Sequence, residues 1–355
     1  MEPIPFQPTL LGKSQHFQTI SAHLLARVPG YLPHKVGLLN ESAVLPTQED
    51  SGDRLLVHIH RFVEERYHPK PVVVLVHGLE GSASSNYIVH TAEKLLRAGF
   101  HVVRMNLRTC GSSLPLARRA YHAGLTIDLE TVLDYVRSQI SPHVALVGFS
   151  LGANLTLKLM GEDQEERNRQ RAVLGGRNRK RRRKQSPADT FVAVSPPLEL
   201  LRSCEQLDSP NCVLYRRMFL KEIKSRAMAG KFGNIPDLER ELSHIKNFFD
   251  FDHHYVAPNG GFRGAVEYYL HCASRHYVSN IEVPGLVLHA RDDPLINPVG
   301  WDETDWSALP HIKAEITEHG GHMGWIARRH PLFADRRWMD YRILHFLSDW
   351  RDSLR

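Results

Sequence analysis

A Gly-x-Ser-x-Gly turn between an apolar strand and a helix is the feature that most limits what this chain can fold into. The apolar segment Val144–Phe149 is typical of a buried strand, and Gly148 and Gly152 flank Ser150 at its end. Residues 155–160 then favour a helix. In such a tight connection the middle residue is strained and projects above the sheet, because glycine neighbours let the backbone pass closely. The motif predicts Ser150 as a nucleophile, provided that an acid and a histidine follow it.

Apolar segments separated by helix-forming segments predict a mostly parallel α/β sheet with helices on both faces. Arg54–His60 alternates apolar and polar residues, which is typical of a half-exposed strand. Val72–Val76 is β-branched and continuously apolar, as expected of a strand buried on both faces. Further strands are predicted at Phe100–Met105, Val144–Phe149, Thr190–Val194, Gly285–His289 and His311–Thr317. Helices are predicted at about 86–97, 127–139 and 338–347, so the two kinds of element alternate as in an α/β fold.

Interruptions of this alternation define the predicted domain organisation. Residues 1–50 are rich in Pro and Gln and are expected to wrap the core, whose two parts are 51–197 and 282–355. Between these parts, 198–281 contains helix-forming pieces and aromatic pairs, which predict a helical cap inserted after the sixth strand. Within the first part, 163–187 is expected to be a disordered basic insertion.

The formal net charge of +6 comes from one segment. Between Arg167 and Lys184 there are ten Lys/Arg residues and no acidic residue, which leaves the rest of the chain mildly acidic. Such a block is typical of a solvated loop. We therefore predict no nucleic-acid partner, and a weak contact of Arg167–Lys184 with an anionic surface is the alternative.

Apolar runs and cysteine spacing bear on the cellular compartment. No apolar run approaches the ~18 residues of a membrane helix, so no transmembrane segment is predicted. The segment Met1–Pro5 lacks the basic and apolar regions of a signal peptide. Cys110, Cys204, Cys212 and Cys272 are widely spaced, which is unlike a zinc knuckle or a disulfide framework. These features indicate a reducing, cytoplasmic location.

A candidate acid follows the strand that ends at His289. In sheets with a Gly-x-Ser-x-Gly elbow, the catalytic residues occur in the order Ser, Asp or Glu, then His, on loops that leave the strands. Asp292 and Asp293 are adjacent, and only one of them can face the histidine. Because the acid commonly precedes an apolar turn such as Pro294–Ile296, we choose Asp293 and expect Asp292 to cap the turn.

A candidate base lies in the loop after the last predicted strand. His319 and His322 share this loop, and Gly320 and Gly321 between them let the chain turn back over the site. This position favours His322 over His319 as the base. Ser150 would then attack an ester or thioester carbonyl, His322 would move the proton, and Asp293 would orient the imidazole.

Two backbone N–H groups are predicted to form an oxyanion hole. One is that of Leu151, directly after the nucleophile, and the other is that of Leu79, in the loop after the first buried strand. The segment His77–Gly81 could also be a plain glycine turn, but its position between a buried strand and a helix favours the functional interpretation. This chemistry requires neither a metal nor an organic cofactor.

Several segments together resemble one family. They are His77–Ser82, Tyr121–Gly124, Gly148–Asn154, His289–Pro294 and Glu318–Gly324. From about residue 17 onward the chain is similar to the YheT-like group of the α/β-hydrolase superfamily, which includes mammalian esterases of acylglycerols and phospholipids. The resemblance implies an α/β-hydrolase fold and carboxylester hydrolysis, with Ser150, Asp293 and His322 as the charge-relay system.

The function predicted from these features is that of a serine esterase. It would cleave short- to medium-chain acyl esters through an acyl-enzyme, with a small-molecule or lipid ester as substrate. An acylglycerol lipase or lysophospholipase at membrane surfaces is the first alternative, and a non-catalytic binding protein on a hydrolase scaffold is the second. The segment Phe249–His254 resembles an acidic cap motif of the family but carries two histidines, so a metal site there is weighed against a hydrogen-bonded turn.

Overall fold

In the part of the chain that the computed structural model of the protein describes, eight strands form the central sheet. The structure describes residues 3–24, 37–49, 52–63, 70–174, 185–230 and 238–354. The strands are β1 (Leu38–Pro46), β2 (Arg54–Phe62), β3 (Val72–Val76), β4 (His101–Met105), β5 (Val144–Phe149), β6 (Thr190–Val194), β7 (Gly285–Ala290) and β8 (Ile312–Thr317). Their order is β1-β2-β4-β3-β5-β6-β7-β8. The two contacts of β2 are antiparallel and all others are parallel, which confirms the predicted α/β class.

In chain order, the described helices are α1 (Gln15–Leu24), α2 (Asn86–Arg97), α3 (Thr126–Gln139), α4 (Leu151–Leu174), α5 (Leu200–Asp208), α6 (Val213–Gly230), α7 (Leu238–His244), α8 (Phe248–Phe251), α9 (Ala257–Asn259), α10 (Ala265–Cys272), α11 (Arg275–Val278), α12 (Val299–Asp302) and α13 (Trp338–Ser353). Helices α3 and α4 cover one face of this sheet, helices α2 and α13 cover the other, and further helices lie beyond them. A π-helical turn, Asp252–Val256, joins α8 to α9. None of the described helices is long and apolar enough to cross a bilayer.

Alternate side chains of β3 pack into two apolar layers, one on each face of the sheet. Val73 and Leu75 pack in one layer with residues of α2 and α13. Val72, Val74 and Val76 point the other way, into a layer with α3 and α4. Because neighbouring strand residues face opposite sides of a sheet, a continuously apolar strand is what two covered faces require.

The helices between β6 and β7 have an apolar cluster of their own. It includes Phe248, Phe251 and Tyr255, and it is joined to the rest of the molecule through Leu79 and Leu151, which lie at the carboxyl edge of the sheet. We call α5–α10 the cap, because this cluster joins them above the edge where Ser150 lies, whereas Val278 of α11 packs in the layer of α3 and α4.

The prediction that residues 1–50 only wrap the core is wrong for Leu38–Pro46. This segment is strand β1, which pairs with β2 over its nine residues. It is an edge strand, and most of its residues are exposed, with Glu41 paired to Arg61 on the neighbouring strand. Because only Leu45 is buried in this strand, the segment lacks the alternating or continuously apolar pattern that predicted the other strands.

The predicted start of the disordered insertion 163–187 is wrong, because residues 163–174 belong to α4, which continues to Leu174. Residues 162–174 contain good helix formers and neither Gly nor Pro, and Lys158 forms an ion pair with Glu162 one turn farther on. At 1.5 Å per residue the 24 residues of α4 extend about 36 Å from the site edge. Residues 175–184, with most of the basic block, lie outside the described residues, and the predicted contact of Arg167–Lys184 with an anionic surface stays a prediction.

Candidate active site

Ser150 occupies a strained turn between β5 and α4. Its φ of 53° lies in the left-handed region that non-glycine residues rarely adopt. A Cβ at Gly148 would lie 2.2 Å from the Gly152 carbonyl oxygen, and one at Gly152 would lie 2.5 Å from the Val76 carbonyl oxygen. Both positions therefore exclude any side chain, as the sequence motif predicts. The Ser150 N–H donates to the Val194 carbonyl on the next strand, which fixes the turn to the sheet.

The structure brings Ser150, His322 and Asp293 into one line of hydrogen bonds. The Ser150 hydroxyl oxygen lies 3.0 Å from His322 Nε2. On the other side of the ring, His322 Nδ1 lies 2.8 Å from Asp293 Oδ2. Because an ionised carboxylate only accepts hydrogen bonds, Nδ1 carries the proton and Nε2 is free to accept one from the serine.

Asp292 and His319 form a separate pair outside this line. Asp292 Oδ2 lies 3.2 Å from His319 Nδ1, and its other oxygen accepts the Gly321 N–H at 2.8 Å. Asp292 thus ties the histidine loop to the loop after β7. Gly321 has a φ of 56°, and a Cβ there would lie 2.5 Å from the Gln15 carbonyl oxygen, so this position requires glycine.

Asp293 is buried and yet remains charged. Burial by itself would raise the pKa of its carboxyl group, but His322 beside it and further hydrogen bonds hold that pKa below its ordinary value. The second oxygen accepts the N–H groups of Leu295 and Ile296 at 2.9 and 3.1 Å. His289 is also near Asp293. Burial lowers the pKa of His289 to about 4, so its ring is neutral at physiological pH.

The predicted oxyanion donors lie beside the serine. Leu151 is the first residue of α4, where a backbone N–H has no partner within the helix. Leu79 follows Gly78, where an added Cβ would lie 2.9 Å from the Ser150 Cβ. Within the described parts of the chain, neither N–H donates to a protein acceptor. Both groups are therefore available to a bound oxygen atom.

A cavity of about 850 Å³ opens onto Ser150 and His322. Its apolar wall is formed by α1, the cap helix α6 and the loop after Asp293. The lining side chains that form this wall are Ile20, Leu214, Met218, Phe219, Leu295 and Ile296. This volume lies within the range of about 300–1,000 Å³ that is usual for ligand sites.

A family model matches most of the chain, from residue 73 to residue 336, and its description is that of the alpha/beta hydrolase family. The chain belongs to the alpha/beta hydrolase family. It is accordingly an enzyme of the hydrolase class. The described fold, with a serine elbow after the fifth strand, agrees with this membership.

Similar proteins within this family include esterases. The chain is 27% identical to the putative esterase YheT of Escherichia coli over 288 residues, covering 80% of this chain and 78% of that protein. This finding confirms the resemblance to the YheT-like group. The chain is also 28% identical to the medium-chain fatty acid ethyl ester synthase/esterase 2 of Saccharomyces cerevisiae, covering 75% of this chain and 60% of that protein. Among solved structures, the Pyrococcus furiosus esterase Pf2001 matches with a TM-score of 0.54 at 16% identity, over 91% of this chain and 98% of that one, which shows the shared fold.

Two residues to which the sequence analysis assigned no individual role, Thr19 and His77, contact this site. The Thr19 hydroxyl on α1 accepts the His322 N–H at 2.9 Å, so the N-terminal helix helps to hold His322. His77 donates from Nδ1 to the Gly78 carbonyl and accepts the Leu107 N–H at Nε2. Burial lowers the pKa of His77 to about 4, which keeps the ring neutral as these two bonds require. His77 occurs in a motif that resembles the family, whereas nothing in the sequence around Thr19 indicates a functional role.

The cap segment Phe249–His254 is helical in this structure, since it spans the end of α8 and the start of the π-helical turn. Asp252 accepts the Tyr269 hydroxyl at 2.7 Å, and His253 stacks on Phe249 and packs against Gly264. In the described ranges, no group of three or more His, Cys, Asp or Glu side chains is arranged to hold a metal ion.

Proposed function

We propose that the protein is a serine esterase that hydrolyses carboxylic esters through an acyl-enzyme on Ser150. The observation that carries this proposal is the pair of hydrogen bonds that joins the Ser150 hydroxyl to His322 and His322 to Asp293. The names of the similar E. coli and yeast proteins support ester bonds as the target. All four cysteines are free buried thiols, which suits a reducing compartment such as the cytoplasm.

The geometry supports a two-step reaction. The Ser150 oxygen attacks the ester carbonyl carbon while its proton passes to His322 Nε2. The carbonyl oxygen becomes negative and accepts the N–H groups of Leu79 and Leu151. When the bond to the alcohol oxygen breaks, His322 returns the proton to that oxygen and the acyl group stays on Ser150.

Water completes the cycle. A water molecule attacks the acyl carbon and gives a proton to His322, which then protonates the departing Ser150 oxygen. Throughout both steps, the ionised Asp293 stabilises the charged imidazole and holds its Nδ1 proton in place.

The cavity supports a medium-length acyl chain as the preferred substrate. Its wall is mainly apolar, and its volume of about 850 Å³ exceeds what an acetyl group would fill. The yeast relative is named for medium-chain fatty acid ethyl esters, which agrees with this preference. Ile20 and Leu214, at 45% and 75% exposed, add apolar surface beside the cavity, which favours an acylglycerol at a membrane surface as the second candidate.

A series of 4-nitrophenyl esters with increasing acyl length should show kcat/KM rising from the acetate to a medium-chain optimum. Each CH₂ group buried in the cavity contributes up to about 0.8 kcal/mol, or about fourfold. The value should fall again once the chain exceeds the cavity. Ser150→Ala serves as the blank for each ester, and a preference for acetate with a steady decline would contradict the role of the cavity.

The same acyl group presented as a monoacylglycerol in vesicles tests the second candidate. For the proposed esterase, soluble esters should be turned over at least as fast as the vesicle substrate at equal concentration. A strong preference for vesicles would instead identify a surface-acting acylglycerol lipase. Lack of turnover of any ester by folded protein would support the non-catalytic alternative.

A further inference from the structure

The turn that carries Leu79 is held by one side chain from the cap, Arg226, and by Tyr121 from the loop before α3. The Gly81 N–H donates to the Gly78 carbonyl at 3.1 Å, so Leu79 and Glu80 are the two central residues of this turn. Glu80 has a φ of 52°, in the left-handed region that glutamate rarely adopts. A turn with a strained residue at this position needs surrounding contacts to persist.

Arg226 of the cap helix α6 binds the Glu80 carboxylate with several hydrogen bonds. Its Nε lies 3.0 Å from each carboxylate oxygen, and its Nη2 lies 2.8 Å from Oε1. The third nitrogen, Nη1, donates to the Thr109 hydroxyl at 3.1 Å. Thr109 also has a positive φ, of 63°, so the guanidinium joins two strained residues from two different loops.

Tyr121 completes the contacts around Glu80. Its hydroxyl donates to Glu80 Oε1 at 2.8 Å and accepts the Glu80 N–H at 3.0 Å. The Arg226 guanidinium lies over the Tyr121 ring, 4.9 Å from its centroid. The side chains of Arg226 and Glu80 are only 13% and 6% exposed, so these bonds are shielded from water and are stronger than surface ion pairs.

We propose that Arg226 is a positioning residue that holds the Leu79 N–H toward the oxyanion, by fixing the Glu80 carboxylate and the turn around it. Arg226 does not touch the reacting atoms. It acts through Glu80, the residue next to Leu79, and it also balances a negative charge that would otherwise lie near the developing oxyanion. This inference rests on the proposed function, because it requires an oxyanion at Leu79.

The same helix connects this contact to the substrate cavity. Met218, Phe219 and Glu222 of α6 line the cavity, and Arg226 follows Glu222 by one helical turn. A cap that closes over an acyl chain through α6 therefore also sets the geometry of the oxyanion turn.

Arg226→Gln should lower kcat for a soluble medium-chain ester by roughly 10–100-fold, less than the 10²–10³-fold expected for complete loss of one oxyanion donor. KM should change by less than about threefold, because the lost interaction is made mainly in the transition state. The inhibition constant of a trifluoromethyl ketone analogue should rise in parallel with the fall in kcat/KM. Adding Glu80→Gln should produce little further loss, since both residues act through one contact.

Arg275→Gln is the matched control. Arg275 of α11 also forms two ion pairs, with Glu199 and Glu303, and the change removes both. These partners are not next to Leu79. Its kcat should remain within about twofold of wild type. If Arg226→Gln does not fold, Arg226→Lys replaces it, because one ammonium group cannot reach both Glu80 and Thr109 and kcat should still fall.

The outcomes separate this inference from the proposed function. Wild-type protein that reacts with a fluorophosphonate at Ser150, together with folded Arg226→Gln of unchanged kcat and inhibitor affinity, would overturn the positioning role alone. A loss that appears only in KM would also overturn it. Folded wild-type protein that neither reacts nor hydrolyses esters would refute the proposed function itself.

Discussion

Replacing Ser150 with alanine should reduce ester turnover by about 10⁴–10⁶-fold, the range seen when a serine hydrolase loses its nucleophile. The hydroxyl oxygen at 3.0 Å from His322 Nε2 is the atom that we propose forms the acyl bond, and alanine offers no substitute. KM should change little, because the cavity wall stays intact. The measurement is steady-state hydrolysis of a medium-chain 4-nitrophenyl ester, with protein prepared free of any wild-type trace.

The fold should tolerate this change, so the loss can be assigned to chemistry. Alanine keeps the backbone N–H bond from residue 150 to Val194 and adds no atoms to the turn. Ser203→Ala is a matched control, since Ser203 is also buried and its hydroxyl has no partner among the described residues. Its turnover should stay within about twofold of wild type. Equal loss in both variants, or melting of Ser150→Ala, would contradict the assignment.

The change Asp293→Asn should lower kcat by about 10⁴-fold, whereas Asp292→Asn should cost less than about tenfold. Asp293 holds the proton on His322 Nδ1, and an amide in its place can donate to that nitrogen and stabilise the wrong tautomer. Asp292 binds His319 and the Gly321 N–H, which only supports the loop. The two variants make the same chemical change at adjacent positions, and measuring the unfolding midpoint of both separates a loss of catalysis from a loss of stability at the more buried Asp293. Equal effects, or a larger effect of Asp292→Asn, would contradict the chosen acid.

The pH dependence of stability follows from the lowered pKa of Asp293. Because its folded-state pKa lies below the unfolded value of about 3.9, its charge stabilises the folded protein above that pH. This contribution is lost as the pH falls through the folded-state pKa. The stability difference between wild type and Asp293→Asn, measured by denaturant unfolding, should therefore be largest above pH ~4 and shrink in stronger acid.

The elbow and the order of the site residues could be predicted because their signals are local. An apolar strand, two glycines and a helix stand next to each other around Ser150, and the carboxyl ends of parallel strands meet at one edge. Sequence alone does not distinguish Asp292 from Asp293, since the two adjacent residues share one loop. Side-chain direction decides between them, and the structure places Asp293 against His322.

The parts that sequence could not predict depend on contacts between distant segments. Strand β1 has neither an alternating nor a continuously apolar pattern, because only one of its nine residues is buried, and its pairing with β2 depends on a contact between two segments. Arg226 is one of several cations on α6, and its sequence neighbours do not distinguish it from the solvated ones. Only the fold of the cap brings it to Glu80.

Mapping the adduct of a fluorophosphonate probe on the folded protein tests the central claim most directly. The predicted result is one covalent adduct per chain, located by peptide mass spectrometry on Ser150, abolished in Ser150→Ala and slowed by a medium-chain ester. An adduct on another serine, or folded wild-type protein that stays unmodified, would contradict the assignment of Ser150 as the nucleophile.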